Sequence, residues 1–299
     1  MIALRDTSTT VSRYIDKKVK ITCFYCRSES ITKYGSRYCR KGSVQIYFCK
    51  SCSRRFTPKD GFRRMKHDKK TITAALDCYA KGMSLRGVQH HLKMFYDKEI
   101  SHVAILYWIR QYGKLLKGYS ETLKPKTSKK WYADETALHF NNRKNWLWCT
   151  MDSRTRFWIA NETSLWKNEY GCKRLFDKAI TVPIETPDVI ATDGAMCYTK
   201  TIKTVFTNTE HVRYTKPEQK HEMQIMERLN GNIKQRTKVM RGMYCLRTAK
   251  QLMDFWQVYY NFVRPHQALN GATPADFAGV GNLKGNKWDN LIKNASEAV

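Results

Sequence analysis

Two cysteine pairs constrain what the front of this chain can fold into. Cys23-Phe24-Tyr25-Cys26 and Cys49-Lys50-Ser51-Cys52 are separated by 22 residues. Each pair has the spacing that lets both sulfurs reach one zinc ion, and two such knuckles complete a closed, structural tetrahedral site. A segment this short gains too little from burial to fold alone, so zinc binding supplies the missing free energy. Gly35, Gly42 and the alternating Val44-Gln45-Ile46-Tyr47-Phe48 predict a hairpin leading into the second pair. Cys23, Cys26, Cys49 and Cys52 are therefore expected to hold structural Zn²⁺ in a zinc ribbon within residues 1–60. Cys39 is either a bystander or a replacement ligand. Five of the ten cysteines crowd into this one basic segment, which reads as metal binding in a reducing compartment rather than as a disulfide framework.

Charge points to the partner. The 299 residues carry a formal net charge of +28, and 30 of the 54 basic side chains but only 9 of the 26 acidic ones fall in residues 1–130. That balance favours a polyanion, with nucleic acid the first choice and the front of the chain its main holder. A membrane surface would call for an amphipathic helix or an apolar span, and neither is present. The opening Met-Ile-Ala-Leu-Arg-Asp-Thr lacks the apolar core of a secretion signal, so a cytoplasmic location is expected.

After the ribbon, three helix-like stretches occupy residues 61–117. The first, about Lys70 to Ala80, stops at Lys81-Gly82, where glycine accepts a left-handed cap. Ser84 offers an N-cap to a second helix carrying Leu85, Val88 and Leu92 on one face, and Ser101 offers one to a third carrying Val103, Leu106, Ile109 and Leu116. This pattern suits a helix-turn-helix module, although a small helical packing domain would show the same periodicity. In the DNA-binding case the third helix enters the major groove, with Ser101, His102 and Ile105 near base edges and Arg110 and Lys114 toward phosphates. Residues 118–130, with Pro125 and four lysines among them, read as a linker.

From residue 131 the texture changes. Trp131 to Phe140, Asn145 to Asp152 and Phe157 to Thr163 are aromatic and β-branched and predict a three-stranded meander. A helix about Asn168 to Ile180, a short strand at Asp188 to Asp193, another near Glu210 to Tyr214, a long helix from Pro217 to Lys238 and a last one from Thr248 to Phe262 follow. This order implies an α/β fold with a mixed sheet covered on both faces.

Within that frame, Asp134 sits in an otherwise apolar strand, where a charge is costly unless paired or bound to metal. Asp193 ends an apolar strand before Gly194, the end at which α/β sheets gather ligands. Glu227 lies on a helix face shared with Met223, Asn230 and Lys234, apart from the stripe Ile225, Leu229 and Ile233. Glu227 and Lys234 read equally as solvated helix charges on the helix pattern alone. Three hard oxygen ligands suit Mg²⁺ or Mn²⁺. Two such ions, about 3.5–4 Å apart, support in-line phosphoryl displacement, and Lys234 two turns along the same face would hold a phosphate.

Trp-Tyr-Ala-Asp134-Glu-Thr, then Ala-Thr-Asp193-Gly, then Glu227-Arg-Leu-Asn-Gly-Asn-Ile-Lys234 resemble the DDE transposases of prokaryotic insertion sequences, most of all the insertion-sequence-six family. Tyr260-Asn261-Phe-Val-Arg264-Pro265-His266 and Thr273-Pro274 resemble the tail of those enzymes and of related integrases; alone, they read as a turn followed by a helix start. The resemblance covers about residues 131–280. It implies a ribonuclease-H-like core with Asp134, Asp193 and Glu227 as catalytic metal ligands. It further implies binding of double-stranded DNA at the element ends and at the target, metal-dependent strand cleavage and transfer, and action as a dimer or larger assembly. Residues 281–299 are left as a tail. Two other functions compete: a DNA-binding regulator with an inactive α/β domain, and a metal-dependent nuclease that does not join strands.

Overall fold

The computed structural model describes residues 21–39, 42–57, 60–140, 143–238 and 245–298, in two compact units, Met1–Lys59 and Asp60–Val299. In the first unit, strands β1 (Ile31–Cys39) and β2 (Gly42–Cys49) form the expected hairpin, and the two-residue β3 (Arg55–Phe56) pairs with β2. Each cysteine pair bends in the same way. The amide of Cys23 donates to the Ser28 carbonyl at 2.8 Å and that of Cys49 to the Arg54 carbonyl at 2.9 Å, while Arg27 and Ser53, each following its pair, are left-handed at φ 60° and 56°. Among the described residues, the buried core of this unit is Cys23, Cys49 and Phe56, with Ile31 and Tyr47 packed against it. The side chain of Cys39 lies outside the described residues.

The second unit opens with α1 (Lys69–Lys81), α2 (Leu85–Tyr96) and α3 (His102–Thr122), capped by the side chains of Asp68, Ser84 and Ser101. Two of these caps are those expected from sequence. Helix α3 runs on to Thr122, through the first residues read as linker; Gly113 lies against Phe255 of a later helix and Lys117 donates to Gln257 of the same helix at 2.8 Å. Ile105 is fully buried and so turns away from any groove, whereas Val103 and Tyr107 on the opposite side are exposed.

Strands β4 (Lys130–Phe140), β5 (Arg143–Asp152) and β6 (Trp158–Ser164) form the predicted antiparallel meander. Helix α4 (Glu169–Ala179), strand β7 (Val189–Thr192), helix α5 (Met196–Val205) and strand β8 (Glu210–Arg213) follow, and β7 and β8 add in parallel. The sheet order is β6-β5-β4-β7-β8, the mixed arrangement expected of a ribonuclease-H-like core. Strand β4 lies at its centre. Helices α4 and α5 share one side with Trp148, which meets Tyr198 edge to face. Helix α5 was not anticipated: with only ten residues, it shows its burial through Tyr198, Thr201 and Ile202 alone.

The predicted long helix is two pieces, a 3₁₀ segment Pro217–Met223 and α6 (Gln224–Lys238), which packs on β4. Helix α7 (Leu246–Val258) continues into a π-helical turn, Tyr259–Val263, and packs on α3 and β6. Here the tail motif has a structural use. Asn261 accepts from the Trp158 amide at 2.8 Å and donates to its carbonyl at 2.9 Å, and Gln257 donates to the same carbonyl. These side chains occupy the open edge of β6, which would otherwise offer unpaired backbone groups. Thr273 caps the short helix α8 (Pro274–Phe277) in a capping box with Asp276, as the Thr-Pro pair suggested.

Residues 281–299, read as a tail, instead contain α9 (Lys287–Ala298), packed on α1 and α3. Trp288, Leu291, Ile292 and Ala295 are buried at helical spacing, and the Trp288 ring stacks on Phe255 at 5.5 Å. The periodicity was legible, but its partner surface is formed only when α1, α3 and α7 come together. Among the described residues, no helix is long and apolar enough to cross a membrane.

Candidate active site

Strand register brings the first two carboxylates together. In the parallel pair of β4 with β7, Lys130 faces Val189, Trp131 faces Ile190 and Tyr132 faces Ala191. Carrying the same offset forward sets Asp134 beside Asp193, just beyond the carboxyl end of β7. One oxygen from each of Asp134, Glu135 and Asp193 lies within 4.8 Å of the others.

The turn holding Asp193 is tightly built. The Asp193 carboxylate accepts from the Ala195 amide at 3.1 Å, the Thr192 hydroxyl accepts from the Gly194 amide at 3.2 Å, and Arg213 donates to the Gly194 carbonyl at 2.8 Å. Gly194 has φ +96°, and a Cβ there would collide with Cγ2 of Thr215, so only glycine lets the turn close.

On the other side of the cluster, Asn230 of α6 donates to Asp134 Oδ2 at 2.7 Å. Glu227 is exposed in the first turn of the same helix, three residues before Asn230 and on its face, and stands outside the three-carboxylate cluster. Lys234 is exposed further along. Glu135 was not singled out from sequence because alternate strand residues face opposite sides. It is nearly buried, pairs with Lys167 and accepts from the Tyr198 hydroxyl at 2.8 Å. Nothing in the sequence marked Lys167 or Tyr198, which reach Glu135 from elements distant in the chain.

Electrostatically the cluster is deficient in positive charge. Burial first, then the charges of Glu135 and Asp193, pushes the Asp134 carboxyl up to about 7. Among the described residues, Lys167 is the cation that pairs with the cluster, leaving net negative charge among three carboxylates. A divalent ion fits this set: hard oxygen donors, converging at a strand end, whose mutual repulsion a cation relieves.

In the other unit, Cys23, Cys26, Cys49 and Cys52 form a second cluster, all four sulfurs within 4.8 Å of one another. Cys23 Sγ lies 3.6 Å from Cys52 Sγ and Cys26 Sγ 3.5 Å from Cys49 Sγ, a grouping that could hold zinc. Of the groups expected to meet DNA, Ser101 spends its side-chain acceptor on the Ala104 amide at the start of α3, His102 is half-buried, and Arg110 and Lys114 are exposed.

Residues 128–266 match the family model of the DDE domain of IS240-type transposases. No curated protein matches the chain. Among solved structures, the chain is similar to the catalytic core domain of HTLV-2 integrase, at 16% identity over 52% of this chain and 98% of that one, TM-score 0.38. It is also similar to the simian T-cell lymphotropic virus intasome, at 12% identity over 71% and 76% of the two chains, TM-score 0.40. The BIV integrase core shares 18% identity over 50% and 93%, TM-score 0.35. With the strand order and paired aspartates above, residues 128–266 are a DDE transposase domain of the IS240 type, the catalytic part of a polynucleotidyl transferase.

Proposed function

We propose that this chain binds the ends of its own insertion sequence and catalyses metal-dependent cleavage and strand transfer, with Asp134, Asp193 and Glu227 as the catalytic carboxylates. The observation that carries the reading is the parallel register that sets Asp134 beside Asp193, with a side chain of α6 on Asp134. Asp134 and Asp193 would hold Mg²⁺ or Mn²⁺, which would supply Lewis-acid stabilisation to an in-line phosphoryl displacement. Glu227, a turn from Asn230 on the same face, closes the set when DNA is bound. Asn230 keeps one Asp134 oxygen occupied and so orients the other. Lys234 lies two turns beyond Glu227 and meets a backbone phosphate. Because cleavage releases a 3′-hydroxyl, that hydroxyl serves as the next nucleophile at the same carboxylates.

The front of the chain selects the DNA. The four cysteines hold a structural Zn²⁺, and α2 and α3 act as a helix-turn-helix with Ser101 and His102 at the groove and Arg110 and Lys114 on phosphates. Two or more copies act together on paired ends.

The test uses labelled duplexes carrying the inverted repeats that flank the gene, with a supercoiled target and Mg²⁺. The expected products are nicked ends followed by strands covalently joined to target; shortened strands alone would mean a nuclease. Asn230→Ala is expected to raise the Mg²⁺ concentration for half-maximal joining about tenfold or more, with most of the rate returning at saturating Mg²⁺. An unchanged Mg²⁺ titration would show that Asn230 does not orient Asp134.

A further inference from the structure

One residue before Lys167, whose side chain meets the carboxylate cluster, an indole faces water. Trp166 is 71% exposed, and its backbone is held by a built turn. Ser164 Oγ accepts from Nε1 of the fully buried Trp148 at 2.8 Å and donates to the Trp166 carbonyl at 2.8 Å. The turn is thereby tied to the core while the ring stands clear of it. The next residue, Lys167, pairs with Glu135 of the cluster. One peptide unit therefore separates the ring from the side chain that touches the carboxylates.

The neighbourhood extends this surface. Tyr170, 66% exposed, lies in the first turn of α4 with the Arg174 guanidinium 5.7 Å from its ring centroid. Met196, 76% exposed, begins α5 three residues after Asp193, and Lys200–Glu169 at 3.3 Å ties the two helices together. The cations beside these faces, Lys167, Arg174 and Lys200, are each paired with a glutamate (Glu135, Glu162 and Glu169), so the exposed rings themselves define the partner: a nucleic-acid strand, whose bases offer π-faces to stack on them. A duplex shelters its bases in the stack. An indole can receive a base only where the strand is frayed or single.

We propose that Trp166 is a stacking platform for an unpaired base of the DNA strand entering the carboxylate site, a proposal that rests on the DNA-processing reading above. Stacking there holds the strand open beside the reacting phosphate, and Tyr170 and Met196 extend the surface to its neighbours. The platform is sequence-tolerant, because every base has a π-face.

The experiment uses the full chain in an Asp193→Asn background and a duplex with a single-stranded 3′ extension containing 2-aminopurine. Binding is expected to quench the 2-aminopurine. Trp166→Ala should abolish the quench and weaken binding of the extended duplex about tenfold, and Trp166→Phe should keep most of both. Binding of a blunt duplex should be the same in all three. Unchanged quench and affinity in Trp166→Ala would overturn the proposal, as would equal losses on blunt and extended duplexes. So would a change in oligomeric state with DNA affinity intact, which would make the ring a protein contact. The quench is read without chemistry: if Asp193→Asn still joins strands while the quench depends on Trp166, the carboxylate assignment fails and the stacking platform stands.

Discussion

Asp193→Asn is expected to abolish strand cleavage and joining while leaving binding of element-end DNA unchanged. Asp193 is the carboxylate that the register of β4 with β7 sets beside Asp134, while Glu135, the third of the cluster, is already paired with Lys167. An amide in place of the Asp193 carboxylate keeps the shape but loses the charge that attracts a divalent ion. Lewis-acid stabilisation of this kind is worth several kcal/mol, which at about 1.4 kcal/mol per decade corresponds to a loss of about a thousandfold or more. Asp134→Asn supplies the control for folding. Burial and two neighbouring carboxylates oppose its charge in the metal-free protein. Its neutral replacement should therefore melt at a temperature no lower than the parent while being equally inactive. Single-turnover joining assays with both variants decide the matter; joining at the parental rate by either would remove that residue from the site.

What could be read in advance follows the range of the interactions involved. Helix starts depend on groups a few residues apart, and Ser84, Ser101, Asn168 and Thr273 all accept from backbone amides at the starts of their helices. The meander was equally legible because its strands are neighbours in the chain. Asp134 and Asp193 stood out because each breaks an apolar pattern, which is a local signal. Lys167, Tyr198 and Asn230 were not legible as site residues, since each reaches the carboxylates only once α6 packs on β4, α4 packs on β5 and β6, and α5 packs on α4. Ile105 failed for the same reason. A helix start facing solvent and one facing a core look alike until the core is assembled, and here Ile105 turns inward while Val103 and Tyr107 face out. Glu227 is the intermediate case: its face was identified, and Asn230 on that face does meet Asp134, yet the carboxylate itself remains in solvent.

Removing zinc is expected to unfold the first unit's hairpin and leave the second unit's sheet intact. Among the described residues, the buried core around β1, β2 and β3 is Cys23, Cys49 and Phe56, far too little apolar surface to offset the conformational entropy of ordering these strands. A closed four-sulfur zinc site would contribute about 10–16 kcal/mol of apparent binding free energy at neutral pH, which would make metal binding and folding of this segment one event. The purified protein should contain about one zinc per chain, and a strong chelator should release it. Hydrogen exchange should then show protection lost across Ile31–Phe56 and kept across β4 to β8, whose core is a separate cluster. Cys49→Ser should reproduce this pattern without chelator, since Cys49 is both fully buried and within reach of Cys26 Sγ at 3.5 Å. Element-end binding should fall in both cases, while the second unit still melts cooperatively. Protein that purifies without zinc and keeps its hairpin protected would leave the four sulfurs as ordinary thiols and would take the ribbon out of DNA selection.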